Sequence, residues 1–260
     1  MKQRADQMLV DRGLAESRAK AQALILAGLV YSGERKIDKA GQAIAADAPL
    51  EVRGKEHPWV SRGGMKLAHA LDHFGWDVAG AVALDVGSST GGFTDVLLQR
   101  GAARVIALDV GYGQLHPRLR ADPRVTVLER TNARTLAELP FAPQLAVCDV
   151  SFISVRIALP PVLRLCARGW QAVVLVKPQF EAGRADVGKG GVVRDDEVRR
   201  RVVREVAEAA PSWGASVHGV VDSGLPGPKG NREIFLHLAH SEHPTLPDDL
   251  DERIEHALAG

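Results

Sequence analysis

Asp85-Val-Gly-Ser-Ser-Thr-Gly-Gly-Phe-Thr94 is the stretch on which the fold turns. It follows a short apolar run, Ala81–Val86, and leads into an apolar helical period over Gly92–Arg100. A strand that runs through a glycine-rich turn into a helix opens an α/β sheet, and ligands of such sheets sit beyond the carboxyl ends of the strands. Glycine lets the backbone approach a ligand where a Cβ would collide. The spacing of Gly87, Gly91 and Gly92 is not the Gly-x-Gly-x-x-Gly of dinucleotide sites. Nor is it a phosphate loop, which would continue into Gly-Lys-Ser/Thr.

Further apolar runs at Arg104–Val110, Val125–Leu128, Leu145–Val150 and Ala172–Val176 are almost continuously hydrophobic, as parallel strands covered on both faces are. Helical segments fall before, between or after them at Gly63–Phe74, Ser154–Cys166 and Asp195–Ala210. Strands alternating with helices predict a doubly wound sheet. The last two strands, Ser216–Asp222 and Glu233–Leu238, are joined by Ser223–Arg232 with no room for a helix. They should form an antiparallel hairpin at the sheet edge. The expected fold class is therefore α/β and Rossmann-like, a mostly parallel sheet ending in an antiparallel hairpin, the usual layout of methyltransferases. The stripe Leu246, Leu250, Ile254, Leu258 predicts a terminal helix docked on the body.

Asp109 closes the second apolar run, 24 residues after Asp85, where it can accept both hydroxyls of an adenosine ribose. A tight strand–helix turn with an incidental acid is the plain alternative. The second acid and the terminal hairpin favour an S-adenosylmethionine site, with Asp85, Gly87, Ser88, Gly91, Gly92, Phe93, Asp109 and Asp149 as candidate contacts.

Residues 1–55 read as a separate α+β unit. Ser17 is a plausible N-cap and Gly28 a terminator for a helix of about three turns, with β-prone pieces around Leu29–Tyr31 and Leu50–Val52. Eight cations stand against five acids up to residue 39. The whole chain carries a net charge of only +1, so any nucleic-acid surface must be local. Arg4, Arg18 and Lys20, together with Arg62, are candidate phosphate contacts, although a solvated face explains any one of them equally well. Residues 56–62, with Pro58, read as a linker, and 63–260 as the larger domain. Cys148 and Cys166 have no CxxC spacing, so neither a disulfide nor a metal site is expected. Without a signal-like start or a membrane-length apolar run, a cytoplasmic location is expected.

Lys66, Asp149, Lys177 and Glu233 are candidate catalytic residues. Asp149 and Lys177 end strands at the cofactor crevice, Glu233 opens the last strand, and Lys66 lies on the helix before the sheet. A ribose 2′-hydroxyl is a poor nucleophile and needs a base. Lysine serves only if burial or a nearby cation lowers its pKa, and neighbouring carboxylates push the other way. Each alone is ordinarily a surface charge; four converging on one crevice reverse that preference. Adenine amino-methylation would place Asn/Asp-Pro-Pro-Tyr/Phe where Asp149-Val-Ser-Phe152 stands. Cytosine C5 chemistry needs a cysteine in the site, and Cys148 points away from Asp149 along a strand.

Seven ordered motifs carry a resemblance covering nearly the whole chain. They are Ser61-Arg-Gly-Gly-Met-Lys66, Asp85–Thr94, Asp109-Val-Gly-Tyr-Gly-Gln-Leu115, Glu129-Arg-Thr-Asn-Ala133, Asp149-Val-Ser-Phe-Ile153, Val176-Lys-Pro-Gln-Phe-Glu181 and Gly230-Asn-Arg-Glu233. In this order they resemble the TlyA proteins, which join an S4-like RNA-binding domain to an FtsJ-like methyltransferase domain. The resemblance implies 2′-O-methylation of cytidine in ribosomal RNA, in 16S and/or 23S, with ribosomal subunits as partners. It matches Lys66, Asp149, Lys177 and Glu233 to a Lys-Asp-Lys-Glu tetrad with Lys177 as base. It also implies cofactor contacts near Gly87, Asp109 and Thr131–Ala133, where Asn132 would meet the adenine edge. The family has carried a haemolysin label, so a membrane-active protein is one alternative. A non-catalytic rRNA-binding assembly factor is another.

Overall fold

The computed structural model describes residues 2–26, 28–52, 57–227 and 229–259. Residues 53–56, at the junction of the expected amino-terminal domain and linker, lie outside them. The chain separates into two compact units, Met1–Glu56 and His57–Gly260.

The first unit runs β1 (Lys2–Arg4), α1 (Ala5–Asp11), α2 (Arg18–Leu26), β2 (Val30–Ser32), β3 (Arg35–Lys36), β4 (Ala43–Ala45) and β5 (Glu51–Val52). Ser17 begins α2 by accepting a bond from Lys20 N at 3.2 Å. Gly28 ends the segment at φ +72°, a left-handed turn that glycine makes without a steric penalty. Met8, Leu9, Ala21, Ile25, Val30 and Ile37 form its core. Asp6 is buried with them and is neutralised from two elements. Arg4 donates to it at 3.0 and 2.9 Å, and Arg18 and Gln22 each at 3.1 Å. A buried carboxylate is tolerated only when it is paired and hydrogen-bonded in this way.

The second unit runs α3 (Arg62–His73), β6 (Val82–Val86), α4 (Gly92–Gln99), β7 (Arg104–Leu108), α5 (Pro117–Arg120), β8 (Val125–Leu128), β9 (Leu145–Cys148), α6 (Val155–Leu163), β10 (Gln171–Val176), α7 (Pro178–Glu181), α8 (Asp196–Ala209), β11 (Ala215–Asp222), β12 (Ile234–His240) and α9 (Leu250–Ala259). Among the described residues seven of these strands form one sheet in the order β11-β12-β10-β9-β6-β7-β8. β12 is antiparallel to both β10 and β11, and the other pairings are parallel. The expected edge hairpin is therefore present.

Both faces of the sheet are covered, which is why its strands read as unbroken apolar runs. Leu84, Val86, Ile106 and Leu108 pack on one side with Leu159 of α6 and Val203 of α8. Their strand neighbours Ala83, Val105 and Ala107 pack on the other with Leu67 of α3 and Val96 of α4. Ile254 and Leu258 of α9 join the first of these layers, and Leu246 packs there from just outside the helix. α6 stops at Leu163, short of the expected Cys166, and carries Pro160 and Pro161 in its interior. Proline lacks the amide donor that would extend a helix. Residues 57–62, the described part of the expected 56–62 linker, are built into this unit. Trp59 and Val60 pack against its core, Val60 N donates to Asp95 at 2.8 Å, and α3 begins at Arg62. No helix of the described residues is long and apolar enough to cross a membrane.

Candidate functional site

The sheet's register brings the site together. Val86 is level with Cys148, and Val176 is opposite Ile234. One residue onward, Gly87 comes beside Asp149, and Lys177 beside Glu233.

Asp85 is fully buried at the end of β6. Its Oδ2 accepts from Thr94 N at 2.9 Å and Thr94 Oγ1 at 2.7 Å, which folds the glycine turn onto the head of α4. Its Oδ1 has no partner among the described residues. Asp85 lines a cleft of about 170 Å³ with Ser61, Gly87, Phe93, Asp149 and Lys177. Burial pushes its carboxyl up to about 7, opposed by the Thr94 bonds. A buried carboxylate with an unused acceptor suits a cationic, donor-bearing ligand such as the amino-acid end of S-adenosylmethionine. The pKa is raised above its unfolded value, so the folded state holds a proton that the unfolded chain releases near pH 4. Stability of the ligand-free protein should therefore fall as pH rises from about 4 to about 7, by up to ~1.4 kcal/mol per pH unit. Urea unfolding across that range measures the slope, and Asp85→Asn should flatten it.

The glycines of the turn are required by the protein itself. A Cβ on Gly87, at φ +86°, would lie 2.6 Å from the Asp149 carbonyl oxygen, and one on Gly91 would lie 2.3 Å from Leu119. One on Gly92 would lie 2.2 Å from Ser61 Oγ and 2.8 Å from Gly64 N. Besides any room they leave for a ligand, each lets another chain segment close on the turn. Gly87, Ser88, Gly92 and Phe93 do line the smaller cleft, whereas Gly91 does not.

A second cleft of about 520 Å³ continues past Gly87 to Asp109, Asn132, Val150 and Phe152. Asp109 accepts from Ser89 N and Gly111 N, each at 2.7 Å, one bond on each oxygen. Both oxygens keep a lone pair for a ribose diol. Asn132 Oδ1 accepts from Arg134 N at 3.1 Å, which turns the segment beside the cleft and leaves the side-chain amide nitrogen as a donor.

The four catalytic candidates form two ion pairs, Lys177 with Asp149 and Lys66 with Glu233. Lys66 and Glu233 are buried, while Lys177 and Asp149 keep side-chain exposures of 12% and 24%. Of the two lysines, Lys177 lines the cleft and Lys66 does not. Ser151 and Gln179, which sequence reasoning missed, complete the group. Lys177 Nζ donates to Ser151 Oγ at 2.9 Å, and Gln179 Nε2 donates to Glu233 Oε1 at 3.2 Å. Phe152, also missed, stands 91% exposed at φ +65° with its ring 5.0 Å from that of Phe180. Its exposure depends on a positive φ, for which its sequence gives no signal.

Asp95 was missed as well: it accepts from Val60 N, from Arg118 at 2.8 and 2.9 Å, and from Gln99 at 2.9 Å. It thereby anchors the entry segment and α5 to the helix after the turn. Cys148 is buried in the core, and burial pushes its thiol above its ordinary value. Among the described residues no His, Cys, Asp or Glu group is arranged to hold a metal. Arg4 and Arg18 are committed to Asp6, whereas Lys20 and Arg62 are exposed.

A family model described as FtsJ-like methyltransferase matches residues 59–240, and one described as S4 domain matches residues 3–47. The chain is 47% identical to a Mycobacterium tuberculosis protein named 16S/23S rRNA (cytidine-2'-O)-methyltransferase TlyA, covering 98% of this chain and 97% of that one. It is 40% identical to Hemolysin A of Brachyspira hyodysenteriae, covering 90% of this chain and 99% of that one. A solved Streptococcus thermophilus structure labelled a hemolysin superposes with a TM-score of 0.78 at 39% identity, covering 99% of this chain and 96% of that one. Methyltransferase and haemolysin names are thus attached to similar chains.

Proposed function

The chain belongs to the FtsJ-like methyltransferase family and carries an S4 domain ahead of that fold, and from this premise we propose that it methylates the 2′-hydroxyl of a cytidine in ribosomal RNA. The observation that carries the proposal is the Lys177–Asp149 pair on the wall of the cleft that begins at Asp85. The cofactor is S-adenosylmethionine, which supplies an electrophilic methyl group when bound. Asp85 would face its charged end and Asp109 its ribose, with Asn132 at the base.

The remaining work falls to the protein. Asp149 and Ser151 fix the Lys177 nitrogen, which first gives up its ammonium proton to solvent and then, as a neutral amine, takes the hydroxyl proton as the oxygen attacks. Glu233, which accepts from Gln179, holds Lys66. A general base of this kind contributes about 10²–10⁴-fold. Phe152 offers an exposed flat face to the substrate beside that nitrogen. Labelled cofactor, presented with naked rRNA, separate subunits and whole ribosomes, tests the proposal when the product nucleoside is mapped. We expect 2′-O-methylcytidine; a base-methylated product, or none with any RNA, overturns it.

The S4 domain would supply phosphate contacts, and its cations divide into two kinds. Lys20→Ala should reduce the salt dependence of rRNA binding by about one unit of slope and leave the melting temperature unchanged. Arg18→Ala should lower the melting temperature too, because buried Asp6 loses a donor. Filter binding across a salt series with parallel thermal melts separates them. Equal behaviour of the two variants would show that the Asp6 cluster bears no structural load.

A further inference from the structure

We propose that Glu181 is a positioning residue for the transfer: its carboxylate ties the segment after Lys177 to the segment after Asp149, so the Lys177–Asp149 pair is held from both ends. This rests on the methyl-transfer function proposed above. The sequence motif that contains Lys177 ends in Glu181, and neither the base nor the cofactor cleft accounts for it.

Glu181 closes α7, the single turn that starts directly after Lys177. Its side chain is 1% exposed. Oε2 accepts from Ser154 Oγ at 2.5 Å, and Oε1 accepts from Val155 N at 2.7 Å. Ser154 and Val155 lie at the far end of the loop that begins at Asp149. The chain therefore makes a closed circuit. It runs from Asp149 across the ion pair to Lys177, along α7 to Glu181, across the two hydrogen bonds to Ser154, and back along the loop to Asp149. Inside the circuit Ser151 accepts from Lys177, and Phe152 holds a positive φ with its ring near Phe180.

A bulky residue in that conformation persists only where its surroundings fix it, and the two ties flank it. Arg156 lies 3.5 Å from the Glu181 carboxylate and also pairs with Glu205 of α8 at 3.3 Å, so the tie is braced against the body of the domain. Burial raises the carboxyl's pKa, an expense that a solvent-exposed helix cap would avoid. The loop gains a fixed anchor in return. Small displacements of a reacting group lower rates strongly, by about 10²-fold for 1 Å.

The test uses the full chain with Glu181→Ala, Glu181→Gln and Ser154→Ala, the last cutting the tie from the other side should the first fail to fold. We expect Glu181→Ala and Ser154→Ala to lower kcat per folded molecule by about 10- to 100-fold. The KM for cofactor should change far less than kcat, because the tied loop forms only part of the cleft wall and Asp85, Asp109 and Asn132 lie outside it. Glu181→Gln should restore most of the rate, since its amide can accept from Val155 N and donate to Ser154 Oγ. A nitrogen-15 NMR signal from the Lys177 ammonium group should be sharp in wild type and Glu181→Gln and broadened in the two tie-breaking variants. Lower melting temperatures with unchanged kcat, or an unchanged Lys177 signal in both tie-breaking variants, would overturn the positioning role. Wild-type protein that transfers methyl to no RNA while the Lys177 signal responds as expected would instead overturn the proposed function and leave the tie standing.

Discussion

Lys177→Ala should reduce methyl transfer by about 10²–10⁴-fold while S-adenosylmethionine binds with nearly unchanged affinity. Lys177 is the cleft-facing lysine of the two pairs, and Asp149 and Ser151 orient its nitrogen. Removing it deletes the proton acceptor and also leaves Asp149 without its counter-ion. The cofactor clefts are lined chiefly by other elements, the Asp85–Phe93 turn and the Asp109 and Asn132 segments, so affinity should hold. Lys177→Arg tests the distinction further. Arginine preserves the positive charge but stays protonated, so it should bind cofactor and remain inactive. Single-turnover transfer to rRNA, with calorimetry of cofactor binding, gives both numbers. Activity retained in both variants would show that the base lies elsewhere.

Gly87→Ala should abolish cofactor binding and lower the melting temperature by several degrees. Two costs combine. At φ +86° a Cβ is strained by ~1–2 kcal/mol. It would also stand 2.6 Å from the Asp149 carbonyl oxygen and 3.0 Å from its carbon. Those are backbone atoms and cannot swing aside, so β6 and β9 must part just where the site is built. Gly113→Ala is the control, because it shares the positive φ, at +71°, but meets nothing within 4 Å. It should lose ~1 kcal/mol and keep its cofactor. Calorimetry and thermal melts on the two variants separate strain from collision. Full affinity in Gly87→Ala would mean that the Asp149 segment yields without disturbing the cleft.

Much of the fold was legible because its signals are local. Continuous apolar runs marked β6 to β10, and the short connection between β11 and β12 left no alternative to a hairpin. Asp85 and Asp109 were conspicuous because each stands where an apolar run meets a turn. Ser151, Gln179 and Glu181 were not conspicuous. Short polar residues after strands are common, and their partners lie 26 to 54 positions away. Arg4 and Arg18 looked like free cations because Asp6, two residues from Arg4 and twelve from Arg18, gave no sign of being buried. The linker failed for a related reason: Pro58 reads locally as a break, while Trp59, Val60 and Asp95 meet only through packing.

The sequence by itself therefore determined the alternation of strands and helices in the larger unit, the turn from Asp85 to Thr94, and four charged residues as candidates for the site. Each is written in neighbouring residues, through periodicity, turn chemistry and polarity at strand ends. Tertiary structure decided how the charges pair: Lys177 with Asp149, Lys66 with Glu233, and Arg4 and Arg18 with Asp6. It also decided what each glycine accommodates. Pairing and close approach depend on strand register and on which side chains burial forces together, and both are settled only when distant segments pack.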